Sequence, residues 1–356
     1  MAAKIRVLVV EDSVTARKRL LEVLGTDPEI EVAGEATDGK QAVELCLKLH
    51  PDVITMDMML PVMSGLAATE QIMAQAHTPI LIVSSSTNRG ELFRTYDALA
   101  AGAVDVFEKP HGDDTDDAWA ANFLARLKLV ARTHLITHIV GRTTAHVDRL
   151  SPPARTTTPR RSCSLAALGA STGGPAALIE VLGALPPEFS VPVLVVLHIG
   201  ARLGGSFADW LDQQIDRSVA FAVDGESLGD LEGRVIMAPP DRHLTVEGGR
   251  LRVSVGEERN ACRPSVDVLF ESVAREIGSG ASACLLTGMG RDGAAGLLMI
   301  RKAGGFTIAQ DEATSVMYGM PREAVRLGAA ERVLPLVAIG PALAGLAAGP
   351  PKLWTT

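Results

Sequence analysis

Two blocks of strand–helix alternation, separated by a stretch with no periodicity, constrain this chain more than any other feature of its sequence. In the first block the apolar runs Ile5–Val10, Val32–Glu35, Asp52–Met56, Pro79–Val83 and Val104–Phe107 read as strands. Amphipathic stretches at Val14–Leu24, Lys40–Leu49, Leu66–Ala74 and Leu92–Ala101 fall between them, and Trp119–Thr133 adds a last helix. Each helix returns the chain in the same direction, which predicts a five-stranded, doubly wound parallel sheet. Residues 151–161 then read Ser-Pro-Pro-Ala-Arg-Thr-Thr-Thr-Pro-Arg-Arg, a tether. Alternation resumes with strands at Leu165–Leu168, Val191–Leu197, Arg234–Met237, Ala281–Leu286 and Phe306–Ala309. Helical patterns lie at Ala176–Leu185, Phe207–Ile215, Val266–Ile277 and Ala294–Ala303. Gly248-Gly249 between two alternating runs signals a hairpin. The second block is therefore an α/β domain with a mixed, mostly parallel sheet. The expected boundaries are a first domain over 1–133, a linker over 134–163, a second domain over 164–340 and a frayed tail over 341–356.

Composition narrows the function. The chain is 47% hydrophobic and carries a formal charge of −8, with its basic residues clustered only in the tether. A nucleic-acid surface needs clustered Lys and Arg, so no nucleic-acid partner is expected. Cys46, Cys163, Cys262 and Cys284 show no paired metal-type spacing, and Cys46 and Cys284 sit in apolar runs as core filling. The first apolar run ends at once in Glu11-Asp12, which fits neither a signal peptide nor a membrane span. A soluble, cytoplasmic protein with no membrane insertion is the expectation.

Functional groups of an open parallel sheet collect at the carboxyl ends of its strands. In the first block those ends carry Glu11 and Asp12, Asp57, Ser84 and Lys109. Carboxylates so crowded call for a hard cation, and Mg²⁺ suits an oxygen-rich site. Asp57 is placed to attack a phosphoryl group, Lys109 to counter its charge, and Ser84 to bond the new phosphate and move its loop. The stretches Val-Val-Glu-Asp-Ser, Asp-Met-Met-Leu-Pro around Asp57, and Gly-Ala-Val-Asp-Val-Phe-Glu-Lys-Pro up to Pro110 resemble the receiver domain of two-component response regulators, over residues 4–130. The resemblance implies phosphorylation of Asp57, Mg²⁺ held by Glu11, Asp12 and Asp57, and a cis peptide at Lys109-Pro110. The aromatic switch position of that family is filled by Val106, and Phe107 beside it should face the other side of its strand.

In the second block, Gly169-Ala170-Ser171-Thr172-Gly173-Gly174-Pro175 joins a strand to a helix. A serine at such a turn sits beside free backbone N–H groups and a helix N-terminus, which can stabilise an oxyanion. The stretch matches Gly-x-Ser-x-Gly, although a phosphate-cradling dinucleotide turn is the competing reading of a glycine-rich turn. The next strand ends in His198, a candidate general base, and a later turn carries Asp292. Asp292 reads either as a helix N-cap or as the acid orienting His198. The order Ser, His, Asp differs from that of the α/β-hydrolases.

Together with Ser206-Phe207-Ala208, Arg263-Pro264-Ser265-Val266-Asp267, Leu-Thr-Gly-Met-Gly-Arg-Asp-Gly-Ala and Gly319-Met320-Pro321-Arg322-Glu323-Ala324, these residues resemble the chemotaxis methylesterase (CheB) family over roughly 164–338. The resemblance implies Ser171 as nucleophile, His198 as base, Asp292 as acid, and the Met289 backbone as an oxyanion contact, with Thr172 N–H as a second candidate. It further implies hydrolysis of glutamate γ-methyl esters on chemoreceptors, deamidation of receptor glutamines in some members, and a chemotaxis histidine kinase as phosphodonor. It implies no cofactor at the hydrolase site, and a receiver that covers the cleft until phosphorylated. Where the family carries Met-Pro and Phe-Thr after the histidine, this chain has Ile199, Gly200, Leu203 and Gly204, which predicts a looser turn. The alternative is a receiver-bearing regulator of a chemosensory complex without catalysis, which a replaced Ser171, His198 or Asp292 would have favoured. A transcription factor would need a short basic helical output domain, unlike this long glycine-rich half.

Overall fold

The computed structural model describes residues 3–85, 88–109, 116–133 and 162–348. In the N-terminal domain strands β1 (Ile5–Val10), β2 (Ile30–Ala36), β3 (Val53–Met56), β4 (Ile80–Ser84) and β5 (Asp105–Glu108) alternate with helices α1 (Val14–Gly25), α2 (Gly39–Leu49), α3 (Gly65–Gln75), α4 (Arg89–Ala100) and α5 (Asp116–Ala131). The five strands form one sheet in the order β2-β1-β3-β4-β5, and every pairing is parallel. Four helices start where a short polar side chain accepts a bond from the first turn: Ser13, Asp38, Ser64 and Asn88. Sheet residues such as Val7, Leu8, Ile54 and Leu81 are fully buried. Each such side chain contributes roughly 1.5–3 kcal/mol by leaving water.

The C-terminal domain opens with β6 (Ser162–Cys163), β7 (Leu165–Ala170), α6 (Gly174–Gly183), β8 (Val193–Leu197), α7 (Ala201–Gly204), α8 (Phe207–Gln214), β9 (Val219–Phe221) and β10 (Val235–Met237). It continues through β11 (His243–Glu247), β12 (Arg250–Ser254), α9 (Val266–Glu276), β13 (Ala281–Leu285), α10 (Ala294–Lys302), β14 (Phe306–Gln310), α11 (Met320–Arg326), β15 (Arg332–Leu334), α12 (Leu336–Ala344) and β16 (Ala347–Ala348). Seven strands form a sheet in the order β15-β14-β13-β7-β8-β10-β9. The sheet sits between two apolar layers, one around Leu178, Val195 and Trp210, the other around Leu194, Phe270 and Leu297.

Three expectations need correction. The main sheet is wholly parallel rather than mixed, because β11 and β12 pair only with each other. The chain does not fray at Gly340: α12 runs on to Ala344, burying Leu343, and β16 pairs in parallel with β6. The turn after His198 is not loose either, since α7 begins two residues beyond Ile199 and Leu203 is buried. The Lys109-Pro110 bond, the tether over 151–161 and the tail beyond Ala348 lie outside the described residues.

The two domains share a packed face. Tyr96 of α4 is fully buried, its ring centred 5.1 Å from Phe207 and 5.4 Å from Trp210. Its hydroxyl donates to the Leu203 carbonyl. Around this anchor Trp210 Nε1 donates to Asp97 at 2.8 Å, and Arg89 pairs with Asp209 at 2.9 Å.

Candidate functional site

Two carboxyl edges carry the chemistry-bearing residues. At the N-terminal edge Glu11, Asp57 and Lys109 follow β1, β3 and β5, while Ser84 ends β4 and is buried. Lys109 Nζ lies 2.8 Å from Glu11 Oε2 and 2.9 Å from Asp57 Oδ2. Glu11 is fully buried; that burial, with Asp57 beside it, pushes its carboxyl up against the opposing pull of Lys109. Burial works against the Lys109 charge, but Asp57 and Glu11 outweigh it and its pKa is raised. Glu11, Asp12 and Asp57 each bring a carboxylate oxygen within 4.8 Å of the others. Three hard oxygen donors facing one ammonium fit a small dication such as Mg²⁺. Phe107 packs against Trp119 and Phe123 beneath α5, whereas Val106 faces the C-terminal domain.

At the C-terminal edge the three adjacent strands β8, β7 and β13 deliver His198, Ser171 and the loop bearing Asp292. The turn after Ser171 depends on glycine. Gly173 has φ +76°, and a side chain there would meet Val316 at 2.6 Å. Across the crevice, a Cβ on Gly288 would stand 2.7 Å from the Ser171 Cβ, so the β13 loop closes on the nucleophile turn only because that position is bare. Thr287 stitches the two loops together: its hydroxyl donates to Thr172 O at 2.9 Å and accepts from Met317 N–H at 2.9 Å. Its own N–H is held by Gln310 at 2.8 Å. Among the described residues, the Thr172 and Met289 N–H groups donate to no other group.

Asp292 is not the N-cap of its own helix. Gly293 holds the cap position of α10 without a side-chain bond, and the Asp292 carboxylate turns instead to α9 and His198. It accepts from Val266 N–H at 2.7 Å, Ser265 Oγ at 2.8 Å and Asn260 Nδ2 at 3.0 Å. His198 Nε2 lies 2.9 Å from Asp292 Oδ2. Burial disfavours the Asp292 charge, yet His198, Asn260 and Ser265 outweigh it and hold the carboxyl below its usual range. Burial also opposes charge on His198, but its bonds to Asp292 and Cys262 raise its pKa to about 9. With Nε2 engaged, His198 Nδ1 faces the cleft, 3.8 Å from Cys262 Sγ. Ser171 lines that cleft too, without a hydrogen bond to His198 among the described residues.

The cleft encloses about 430 Å³ and has walls from both domains: Ser171, His198 and Met289 on one side, Leu99, Asp105 and Arg126 on the other. Asp105 accepts from Thr172 Oγ1 at 3.1 Å and pairs with Arg126 at 2.8 Å. The contributions of Asn260 and Cys262 escaped the sequence reading, and Thr287 and Gln310 fell within motifs without a role. Ser265 and Asp267 fell within a motif but without a role; the helix-start pattern at Ser265 was the available signal, and Ser265 caps α9.

Comparison with known proteins bears on this geometry. The CheB methylesterase family matches residues 166–343, and the response regulator receiver domain matches residues 7–116. The chain is 43% identical over 339 residues to "Protein-glutamate methylesterase/protein-glutamine glutaminase 4" of Myxococcus xanthus, covering 93% of this chain and 94% of that one. It is 44% identical over 345 residues to a protein of the same description, numbered 2, from Pseudomonas aeruginosa, covering 95% and 96%. Among solved structures, the Thermotoga maritima CheB methylesterase catalytic domain shares 35% identity over 52% of this chain and 100% of that chain, with a TM-score of 0.49. With its receiver domain in front and a methylesterase domain spanning the second edge, this chain belongs to the CheB methylesterase family.

Proposed function

We propose that this chain is a phosphorylation-controlled protein-glutamate methylesterase acting on methylated chemoreceptors, with Ser171, His198 and Asp292 as its catalytic residues. The observation that carries the reading is that adjacent strands bring Ser171 and His198 to one cleft, with His198 tied from behind to Asp292 at 2.9 Å. Ser171 Oγ attacks the γ-carbonyl carbon of a glutamyl methyl ester while His198 Nδ1 takes the hydroxyl proton. Asp292 stabilises the imidazolium so formed. The N–H groups of Thr172 and Met289, which have no partner among the described residues, receive the oxyanion. Collapse releases methanol, which takes its proton from His198. Water activated by the same ring then frees the glutamate carboxylate and restores Ser171. A γ-amide enters the same route and releases ammonia, so receptor glutamine is a second substrate of the site.

Control comes from the other edge. Asp57 accepts a phosphoryl group from a chemotaxis histidine kinase, with Lys109 balancing the added charge and Ser84, at the end of the neighbouring strand β4, bonding the new phosphate. Glu11, Asp12 and Asp57 would hold Mg²⁺, whose charge would neutralise the crowded carboxylates and the incoming phosphoryl group. The arrangement in which Asp105 holds Thr172 and the receiver residues Leu99, Asp105, Val106 and Arg126 wall the cleft is read as the unphosphorylated, blocked state. The test is methanol release from methylated receptor membranes by wild type, Ser171→Ala and His198→Ala. Release by wild type and its loss in both variants supports the reading. Release that survives Ser171→Ala sinks the assignment of the nucleophile, and no release from any form leaves a non-catalytic regulator as the better account.

A further inference from the structure

His198 has a second neighbour that the esterase reaction does not use. Cys262 sits in a tight turn closed by paired backbone bonds, Arg259 N–H to Cys262 O at 3.1 Å and Cys262 N–H to Arg259 O at 2.9 Å. Between them Asn260 and Ala261 both take left-handed backbone angles, φ 54° and 59°. The Asn260 side chain is pinned to Asp267 and Asp292 at 2.9 and 3.0 Å. The thiol is thus held in place against the catalytic ring rather than swinging free. Cys46, Cys163 and Cys284 are all buried, whereas Cys262 is half-exposed and lines the cleft.

We propose that His198 Nδ1 and Cys262 Sγ form a binding site for a thiophilic divalent cation of the Zn²⁺ type. Zinc–nitrogen and zinc–sulfur bonds of about 2.0–2.1 and 2.3 Å in a tetrahedral site place the two ligand atoms about 3.6 Å apart. The observed 3.8 Å needs a shift of only a few tenths of an ångström. A metal-binding histidine also needs its other ring nitrogen donated to a carboxylate, which fixes the ring and raises its basicity. Asp292 does this at Nε2, and Asn260, Ser265 and the start of α9 fix the Asp292 carboxylate in turn. His198, Cys262 and Asp292 accordingly offer ligand atoms within 4.8 Å of one another. Asp292 serves as the outer support, since its oxygens are already occupied, and water fills the remaining positions.

Binding exchanges the thiol proton for the metal: the S–H bond breaks, an S–Zn bond forms, and the proton passes to solvent. The ion also takes the Nδ1 lone pair, and a proton carried on the ring passes to solvent in the same exchange. On the reading of His198 as the base for Ser171, an occupied site is therefore a switched-off esterase, restored when the metal leaves. Hard cations do not compete, because a thiolate–imidazole pair disfavours Mg²⁺. The chain then holds two cation sites of opposite chemistry, one all-oxygen and one nitrogen–sulfur.

The experiment is a Co²⁺ titration of the full chain, read as thiolate-to-cobalt charge-transfer absorption, paired with methanol release in the presence of added Zn²⁺ and then a chelator. The site predicts the sulfur band in wild type and Ser171→Ala, its loss in Cys262→Ser and His198→Ala, and Zn²⁺ inhibition that the chelator reverses. Cys262→Ser and Cys262→Ala should need at least about ten-fold more Zn²⁺ for half-inhibition, each measured against its own metal-free rate. A band that persists in Cys262→Ser, or no band in wild type, overturns the site. A band that depends on Cys262 without any inhibition keeps the site and overturns His198 as the base.

Discussion

Both domains present a cluster of ionisable groups at the carboxyl edge of a parallel sheet, yet the two clusters are balanced in opposite ways. At the N-terminal edge three carboxylates face one ammonium, and the buried Glu11 is pushed toward its neutral form. At the C-terminal edge the Asp292 carboxylate is as deeply buried but is held in its charged form by four hydrogen-bond donors and an imidazole. Burial alone therefore does not decide the charge of a carboxylate; the count and direction of its donors does. The N-terminal edge is short of positive charge and suited to taking up a cation and a phosphoryl group. The C-terminal edge is already satisfied and suited to cycling one proton through His198.

The largest expected effect separates the two edges. Ser171→Ala should lower methanol release by about 10⁴-fold or more, while phosphoryl incorporation at Asp57 stays at the wild-type level; loss of both would mean the edges are not independent units. Asp292→Asn should cost about 10⁴-fold in kcat by leaving the imidazolium unsupported. Because the same carboxylate holds the first turn of α9, this variant should also melt at a lower temperature, by roughly 1–3 kcal/mol in stability. Calorimetry showing an unchanged Tm would remove Asp292 from the helix-anchoring role.

A smaller effect concerns pH. On the proposed mechanism His198 must be neutral to accept the Ser171 proton, and its pKa is raised to about 9. The rate of the wild type should therefore climb as pH rises toward 9 instead of levelling near neutrality. A profile already flat above pH 7 would show that Asp292 and Cys262 do not hold the proton on His198. The smallest effect lies between the edges. Tyr96→Phe removes one hydroxyl donor from the domain face, worth about 0.5–1.5 kcal/mol, and should raise the unphosphorylated rate by about two- to ten-fold. No change would place the block elsewhere than at α4.

How far the sequence could be read follows the range of the interactions. Ser171 and His198 were legible because each closes a strong apolar run, and the parallel fold brings such ends together. Glu11, Asp57 and Lys109 were legible for the same reason. The bonds from Asn260 and Ser265 to Asp292 span 32 and 27 residues, and no local pattern announces them. Strands β9 and β15 are three residues long, too short for any period to show. The hairpin was foreseen from Gly248-Gly249, but only tertiary packing keeps it out of the main sheet. The docking of α4 through Tyr96 depends on side-chain fit between domains and left no local mark in the sequence.

The central claim is that the charge-unbalanced edge governs the charge-balanced one. Its most direct test is the ratio of methanol release with and without a small phosphodonor and Mg²⁺, in wild type and in Asp57→Ala. The account predicts a ratio well above one for wild type and a ratio of one for Asp57→Ala, with the same basal rate in both. An equal stimulation of both proteins, or none in wild type whose Asp57 is demonstrably phosphorylated, would contradict it.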